Sequence, residues 1–94
     1  MKKYEIMTIY NDELEEEGSQ KLSEEIKSLI TSLGGVIVSS NFWGKRKFAY
    51  EINHKEEGYY DIIKFEIDKS KLSDIREKLA MTDNLVRYLI TALE

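Results

Sequence analysis

The sequence predicts an α+β fold in which a four-stranded antiparallel sheet carries two helices on one face. In two segments apolar residues recur every three or four positions, and four other segments are rich in alternating β-branched and aromatic residues. In chain order these segments give β-α-β-β-α-β, the split βαβ or ferredoxin-like sandwich. Because no linker, repeat or low-complexity segment interrupts them, residues 1–94 are predicted to form a single domain.

The first half of the chain predicts a strand and then a helix. Lys3 to Tyr10 alternates with apolar side chains on both sides, as is typical of an interior strand. A helix with one buried face is predicted from about Ser19 to Leu33, and Gly34-Gly35 ends it. The apolar residues with helical spacing are Leu22, Ile26, Leu29, Ile30 and Leu33.

The next segment predicts a hairpin. Val36 to Ile52 reads as one long strand, and Gly44 near its middle predicts a bulge or bend. Its partner is Tyr59 to Ile67, in which one side, with Asp61, Ile63 and Phe65, alternates with the other, with Tyr60, Ile62 and Lys64. The polar stretch from Asn53 to Gly58 is predicted to be the hairpin loop.

The last quarter predicts a second helix and a closing strand. Asp68 or Ser70 can cap the helix, whose apolar face is formed by Leu72, Ile75 and Leu79. After a turn at residues 82–84, Leu85 to Leu93 is predicted to be the fourth strand, paired with the first.

The composition excludes several classes of function. There is no cysteine, so disulfides and thiolate metal sites are impossible. No apolar run approaches the roughly 20 residues of a membrane helix, and the first residues do not resemble a signal peptide, so we expect a cytoplasmic protein. The single histidine, His54, lies in the predicted loop and is expected to be a solvated turn residue. We therefore predict no catalytic residue, no metal and no cofactor.

The charges are distributed unevenly along a chain whose net charge is -4. Residues 35–50 contain no acid, and their three bases, Lys45 to Lys47, are framed by aromatic residues. Cations contact phosphates and aromatic rings stack on unpaired bases, so this combination favours RNA binding. Strand alternation predicts that Lys45 and Lys47 point to one face and Arg46 to the other.

Four blocks of sequence carry a resemblance to a known family. They are Lys2 to Ile6, Trp43 to Tyr50, Gly58 to Tyr60 and Asp83 to Tyr88. In order and spacing they resemble the bacterial small-subunit ribosomal protein six family, although Glu51 replaces a proline that is common in that family. The resemblance implies a monomer on the ribosome that binds central-domain 16S ribosomal RNA together with small-subunit ribosomal protein eighteen.

The blocks and the basic segment together suggest two sets of binding residues. The candidates for RNA contact are Lys2, Lys3, Tyr4, Lys45, Arg46, Lys47, Tyr50 and Arg87. The candidates for contact with the partner protein are Trp43, Phe48, Tyr59, Tyr60 and Tyr88. Cross-strand packing is the commoner use of such rings, and we assign Phe48 and Phe65 to packing first.

The same fold leaves a second function open. Split βαβ modules also associate with themselves through edge strands or bind metabolites between subunits. The alternative is therefore a self-associating ferredoxin-like regulatory or metabolite-binding module, which would be a dimer.

Overall fold

The computed structural model describes residues 1–52 and 54–93, and it confirms the predicted order of elements. Two short 3-10 turns, Asp12–Leu14 and Lys69–Lys71, lead into the two helices. The strands and helices are β1 (Lys2–Asn11), α1 (Glu15–Ser32), β2 (Val36–Ile52), β3 (Lys55–Ile67), α2 (Leu72–Ala80) and β4 (Leu85–Ala92).

The four strands form one antiparallel sheet in the order β2-β3-β1-β4. β1 pairs with β3 along its whole length, from Lys2 opposite Ile67 to Asn11 opposite Gly58. Its other edge pairs with β4, where Ile6 lies opposite Ile90. The predictions that β1 is an interior strand and that the first and last strands pair are confirmed.

The hydrophobic core lies between the two helices and one face of the sheet. β1 and β3 contribute alternate side chains, among them Ile6, Ile63 and Phe65, which are fully buried. The helices contribute the predicted apolar residues Leu22, Ile26, Ile30, Ile75 and Leu79. Since both helices pack on this helix-covered face, the opposite face of the sheet, here called the open face, has no helical cover.

The first helix begins earlier than predicted. α1 starts at Glu15, after a 3-10 turn in which the Asn11 side chain accepts a hydrogen bond from the Glu13 N–H. Three glutamates occupy the first turn of α1, where their charge favours the positive end of the helix dipole. Polar residues therefore form this turn, and apolar spacing alone could not reveal it.

The hairpin loop is shorter than predicted, and its predicted span from Asn53 to Gly58 is wrong. β3 begins at Lys55, which pairs with Ile52 of β2. Asn53 lies outside the described residues. The polar stretch after it forms a strand because the two strands continue to pair beyond the core, where a strand needs no apolar side chains.

Two predicted local features are confirmed, and a third is confirmed in part. Gly34 ends α1 with φ 91°, in the left-handed region that glycine adopts without strain. The register of β2 shifts between Phe42 and Gly44, and Gly44 has φ 84°. Of the two candidate caps, Asp68 caps the 3-10 turn that leads into α2, since its side chain accepts from the Ser70 N–H at 3.0 Å, whereas α2 itself has no side-chain cap.

Candidate interface on the open face of the sheet

The middle of the open face is apolar. Met7 of β1 lies between Ile62 of β3 and Leu89 of β4 in the strand register, and all three side chains point away from the helices. Leu89 is 57% exposed. We call these three residues the apolar row. None of the three residues was a candidate from the sequence, although the apolar residues on both sides of β1 indicated an apolar surface on the side away from the core.

Three aromatic rings extend the apolar surface towards β2. The Trp43 ring stacks on Tyr60 with centroids 6.5 Å apart and an interplanar angle of 15°, and the Phe48 ring lies 5.9 Å from Tyr60. Tyr60 lies opposite Ile9 of β1 and points to the open face. Trp43 is 45% exposed. This aromatic cluster, Trp43, Phe48 and Tyr60, therefore offers ring surface to a partner, and Phe48 packs across strands as predicted.

The basic triplet is divided between the two faces, as predicted. Lys45 and Lys47 lie opposite Tyr59 and Glu57, on the helix-covered side, and Arg46 lies opposite Gly58, on the open side. The Lys45 Nζ is 3.1 Å from the Glu57 carboxylate, and this hydrogen bond raises the pKa of Lys45. Lys45 is thus neutralised by a neighbour.

Arg46 remains available on the open side. Its Nη1 donates to the backbone oxygen of Lys45 at 2.9 Å, and its other donors have no partner among the described residues. The side chain is exposed. A guanidinium in this state can form the paired hydrogen bonds that phosphate groups accept.

The other predicted basic residues lie on both sides of the sheet. Lys3 lies opposite Glu66 and Arg87 lies opposite Ile9, which places both on the open face. Lys2 alternates with Lys3 and lies on the helix-covered side instead. Lys64, which the sequence reasoning missed, is exposed on the open face next to Glu5.

Two aromatic assignments are corrected, and a third ring, Tyr88, lies away from the open face. Tyr4 is 4% exposed and packs against Phe65 in the core, so its ring cannot stack on a base. Tyr59 is 8% exposed and stacks on Phe42 on the helix-covered side. Tyr88 is half-buried against the core on that same side, opposite Thr8. Strand register decides these sides, and sequence blocks alone do not reveal it.

Tyr50 differs from these rings because it is 83% exposed. It lies near the end of β2, in the part of the strand that extends beyond the core. Its position leaves the ring open to stacking on a base, as the sequence suggested.

The local charge of the open face is opposite in sign to that of the whole chain. Its cations outnumber its carboxylates around the apolar row, although Glu56 adds a negative charge further out on the hairpin. The cations are Lys3, Arg46, Lys64 and Arg87, and the carboxylates are Glu5 and Glu66. Because charge is screened over about 8 Å at 0.15 M salt, such a patch can attract a polyanion despite the net charge of -4.

Other kinds of site receive no support in the described part of the chain. His54 is exposed in a turn, where its Nδ1 lies 3.3 Å from the Glu51 carboxylate, which is itself exposed. Within residues 1–52 and 54–93 no three His, Asp or Glu side chains are grouped to hold a metal ion. Neither described helix is long and apolar enough to cross a membrane.

Comparison with known proteins shows which family has this architecture. The family model described as ribosomal protein S6 matches residues 3–92. The small ribosomal subunit protein bS6 of Fusobacterium nucleatum is 41% identical over 90 residues, 96% of each chain. That of Symbiobacterium thermophilum is 42% identical over 96% of this chain and 95% of its own length. The crystal structure of 30S ribosomal protein S6 from Thermotoga maritima superposes with a TM-score of 0.92 and 32% identity, covering 97% of this chain and 86% of that one. The chain therefore belongs to the ribosomal protein S6 family.

Proposed function

We propose that this protein is a structural constituent of the small ribosomal subunit and that it binds central-domain 16S ribosomal RNA together with small-subunit protein eighteen. Family membership supports the ribosomal role, which is structural and not enzymatic. In that role the protein works on the ribosome in the bacterial cytoplasm. The observation that carries the finer proposal is an open face with an apolar middle and cations around it.

The two parts of this face suit two partners. Protein interfaces have an apolar, aromatic-rich middle, so the apolar row and the aromatic cluster suit protein eighteen. RNA binding draws its affinity from phosphate contacts, so Lys3, Arg46 and Arg87 suit the RNA. Because these cations are few and scattered, we expect weak RNA binding by the monomer alone. Protein eighteen would supply further contacts and raise the affinity.

A filter-binding titration tests the joint requirement. Labelled central-domain RNA is titrated with this protein alone, with protein eighteen alone and with both. We expect tight binding only with both proteins, and light scattering should show that this protein alone is a monomer. A stable dimer that ignores both partners would instead support the self-associating module, for which the exposed Leu89 on edge strand β4 is the available surface.

A pair of matched variants locates the protein contact. Leu89→Glu places a charge on the apolar row, whereas Met81→Glu places the same charge on a residue after α2 of similar exposure, 66%. We expect Leu89→Glu to weaken binding of protein eighteen at least tenfold, about 1.4 kcal/mol, and Met81→Glu to leave it unchanged. Equal effects of the two variants would remove the open face from the interface.

A further inference from the structure

A second basic surface lies on the opposite side of the sheet from the open face. It is a cleft of about 330 Å³ between the start of β1, the end of β4 and the beginning of α2. Lys2, Lys69 and Arg76 line its rim. The rest of its lining is formed by Tyr4, Leu72, Ile90 and Ala92, of which Tyr4 is buried and Leu72 and Ile90 are half-buried. We call this site the basic cleft; of its residues only Lys2 and Tyr4 were candidates from the sequence.

The local fold places these cations together. The 3-10 turn Lys69–Lys71 follows the Asp68 cap, and α2 then brings Leu72 and Arg76, four residues apart, to the same side of the helix. Leu72 packs against the core, which fixes the side that Arg76 shares. The apolar part of the lining gives the long stems of the basic side chains a surface to lie on while their charged ends stay in water.

The cations of the cleft are not neutralised by their neighbours. Lys2, Lys69 and Arg76 are exposed, and none of them forms an ion pair within residues 1–52 and 54–93. Three other lysines differ: Lys27, Lys45 and Lys55 each have a carboxylate within 3.3 Å. In an acidic chain, unpaired cations that gather at one place indicate a surface that meets an anion.

Among the described acids, Asp68 directly precedes Lys69 of the cleft in the chain, and its carboxylate is already hydrogen-bonded. Its Oδ1 accepts hydrogen bonds from the Ser70 N–H at 3.0 Å and from the Ser70 hydroxyl at 2.9 Å. These bonds lower the pKa of Asp68, and the positive charges of the amino terminus and Lys71 lower it further. The amino terminus therefore adds another cation to the same region. The acids of α2, Asp74 and Glu77, do not line the cleft.

We propose that the basic cleft binds the phosphate backbone of RNA, so that the protein holds RNA on both sides of this end of the sheet. The inference rests on the proposed function, because the cleft would extend the RNA contact of the open face. Lys3 belongs to the open face, and its neighbour Lys2 belongs to the cleft. Alternation along β1 thus joins the two cationic surfaces around the end of one strand. These cations form a series that runs around the end of β1 from one side of the sheet to the other. Because the RNA backbone carries a phosphate at every nucleotide, it fits this series better than an acidic protein segment with isolated carboxylates.

Two double variants with the same loss of charge test the cleft. Lys69→Gln with Arg76→Gln removes two cations from it, and Lys21→Gln with Lys78→Gln removes two exposed cations from the helices outside it. Affinity for central-domain RNA is measured with saturating protein eighteen over a series of salt concentrations. The logarithm of the association constant falls as the logarithm of the salt concentration rises, and each lost phosphate contact makes this slope shallower by about one. We expect a decrease of about two for the cleft variant and none for the control.

The other outcomes are distinguishable. A cleft variant that binds RNA with the wild-type slope overturns the inference and leaves the proposed function intact. If that variant binds RNA normally but fails to retain a neighbouring acidic protein in the assembled subunit, the cleft is a protein site and the RNA assignment is wrong. If the wild-type protein itself binds no RNA with protein eighteen present, the proposed function fails and the inference fails with it. Binding of protein eighteen without RNA confirms that each variant is folded.

Discussion

Among individual residues, Asp61 is the least expected at its position, because it is an acidic residue on the apolar side of β3. It is fully buried on the helix-covered face, where its neighbours on β3 are Tyr59 and Ile63. The Tyr10 hydroxyl donates to its Oδ2 at 2.8 Å, and the Ser23 hydroxyl of α1 donates to the same oxygen. Burial, and next the charge of Asp61, raise the pKa of Tyr10, so the tyrosine keeps its proton and remains a donor.

These hydrogen bonds predict that Asp61 contributes to the free energy of unfolding, and substitution tests this. Asp61→Ala leaves the buried hydroxyls of Tyr10 and Ser23 without their acceptor, and each unsatisfied group costs about 1–3 kcal/mol. We expect a loss of about 2–4 kcal/mol in the free energy of unfolding. Urea unfolding measures it as a lower midpoint with an unchanged m value.

A triple variant separates lost hydrogen bonds from lost volume. Tyr10→Phe, Ser23→Ala and Asp61→Leu together replace the polar groups by apolar ones, which is often neutral or stabilising when no donor is left behind. We expect the triple variant to recover most of the stability that Asp61→Ala loses. If it is as unstable as Asp61→Ala, packing and not hydrogen bonding explains the loss.

At the scale of elements, periodicity in the sequence predicts the type and order of every strand and helix. The reason is that both helices and the strands β1 and β3 bury one side, so their apolar residues repeat with the period of the element. The start of β3 at Lys55 could not be predicted, because Lys55 to Glu57 pair with β2 outside the core and carry no apolar signal. The sides taken by Tyr4, Tyr59 and Tyr88 depend on register, which long-range pairing sets.

The contact between the hairpin and β1 depends on Gly58. A Cβ at this position would lie 2.8 Å from both the Ile9 Cγ2 and the backbone oxygen of Tyr10, and 3.1 Å from the Phe48 Cζ. Since a backbone atom cannot move aside, Gly58→Ala must separate β3 from β1 or displace Phe48. We expect a loss of about 1–3 kcal/mol in the free energy of unfolding, as for other overpacked sites, measured by urea titration.

Gly44 provides the control for this substitution. It has φ 84°, but the nearest atom to its added Cβ is the Arg46 Nη1 at 4.0 Å, at the end of a flexible side chain. Gly44→Ala therefore meets backbone strain without a clash, and we expect a loss of about 1 kcal/mol. A loss at Gly58 no larger than at Gly44 would contradict the close approach of β3 to β1.

For the whole molecule, stability is distributed unevenly between the core and the hairpin. β1 pairs on both edges and supplies several of the fully buried side chains. The outer hairpin, residues 47–52 and 54–57, has no buried side chain among its described residues, and the register of β2 is irregular between Lys47 and Ile52. Lys55 is 3.3 Å from the Glu13 carboxylate, but such surface ion pairs contribute only about 0–1 kcal/mol.

This uneven distribution predicts a pattern of amide hydrogen exchange. Segments with few buried contacts open with little free energy, so the amides of the outer hairpin should exchange much faster than those of β1. Binding of protein eighteen and RNA to the open face should then slow exchange in β2 around Arg46 and Phe48 and in β4 around Leu89. The outer side of α1 should exchange at the same rate with and without the partners, because it faces away from the open face and from the basic cleft. Slower exchange in α1 together with an unchanged β4 would show that the partners bind the helices, and the open face would no longer be the interface.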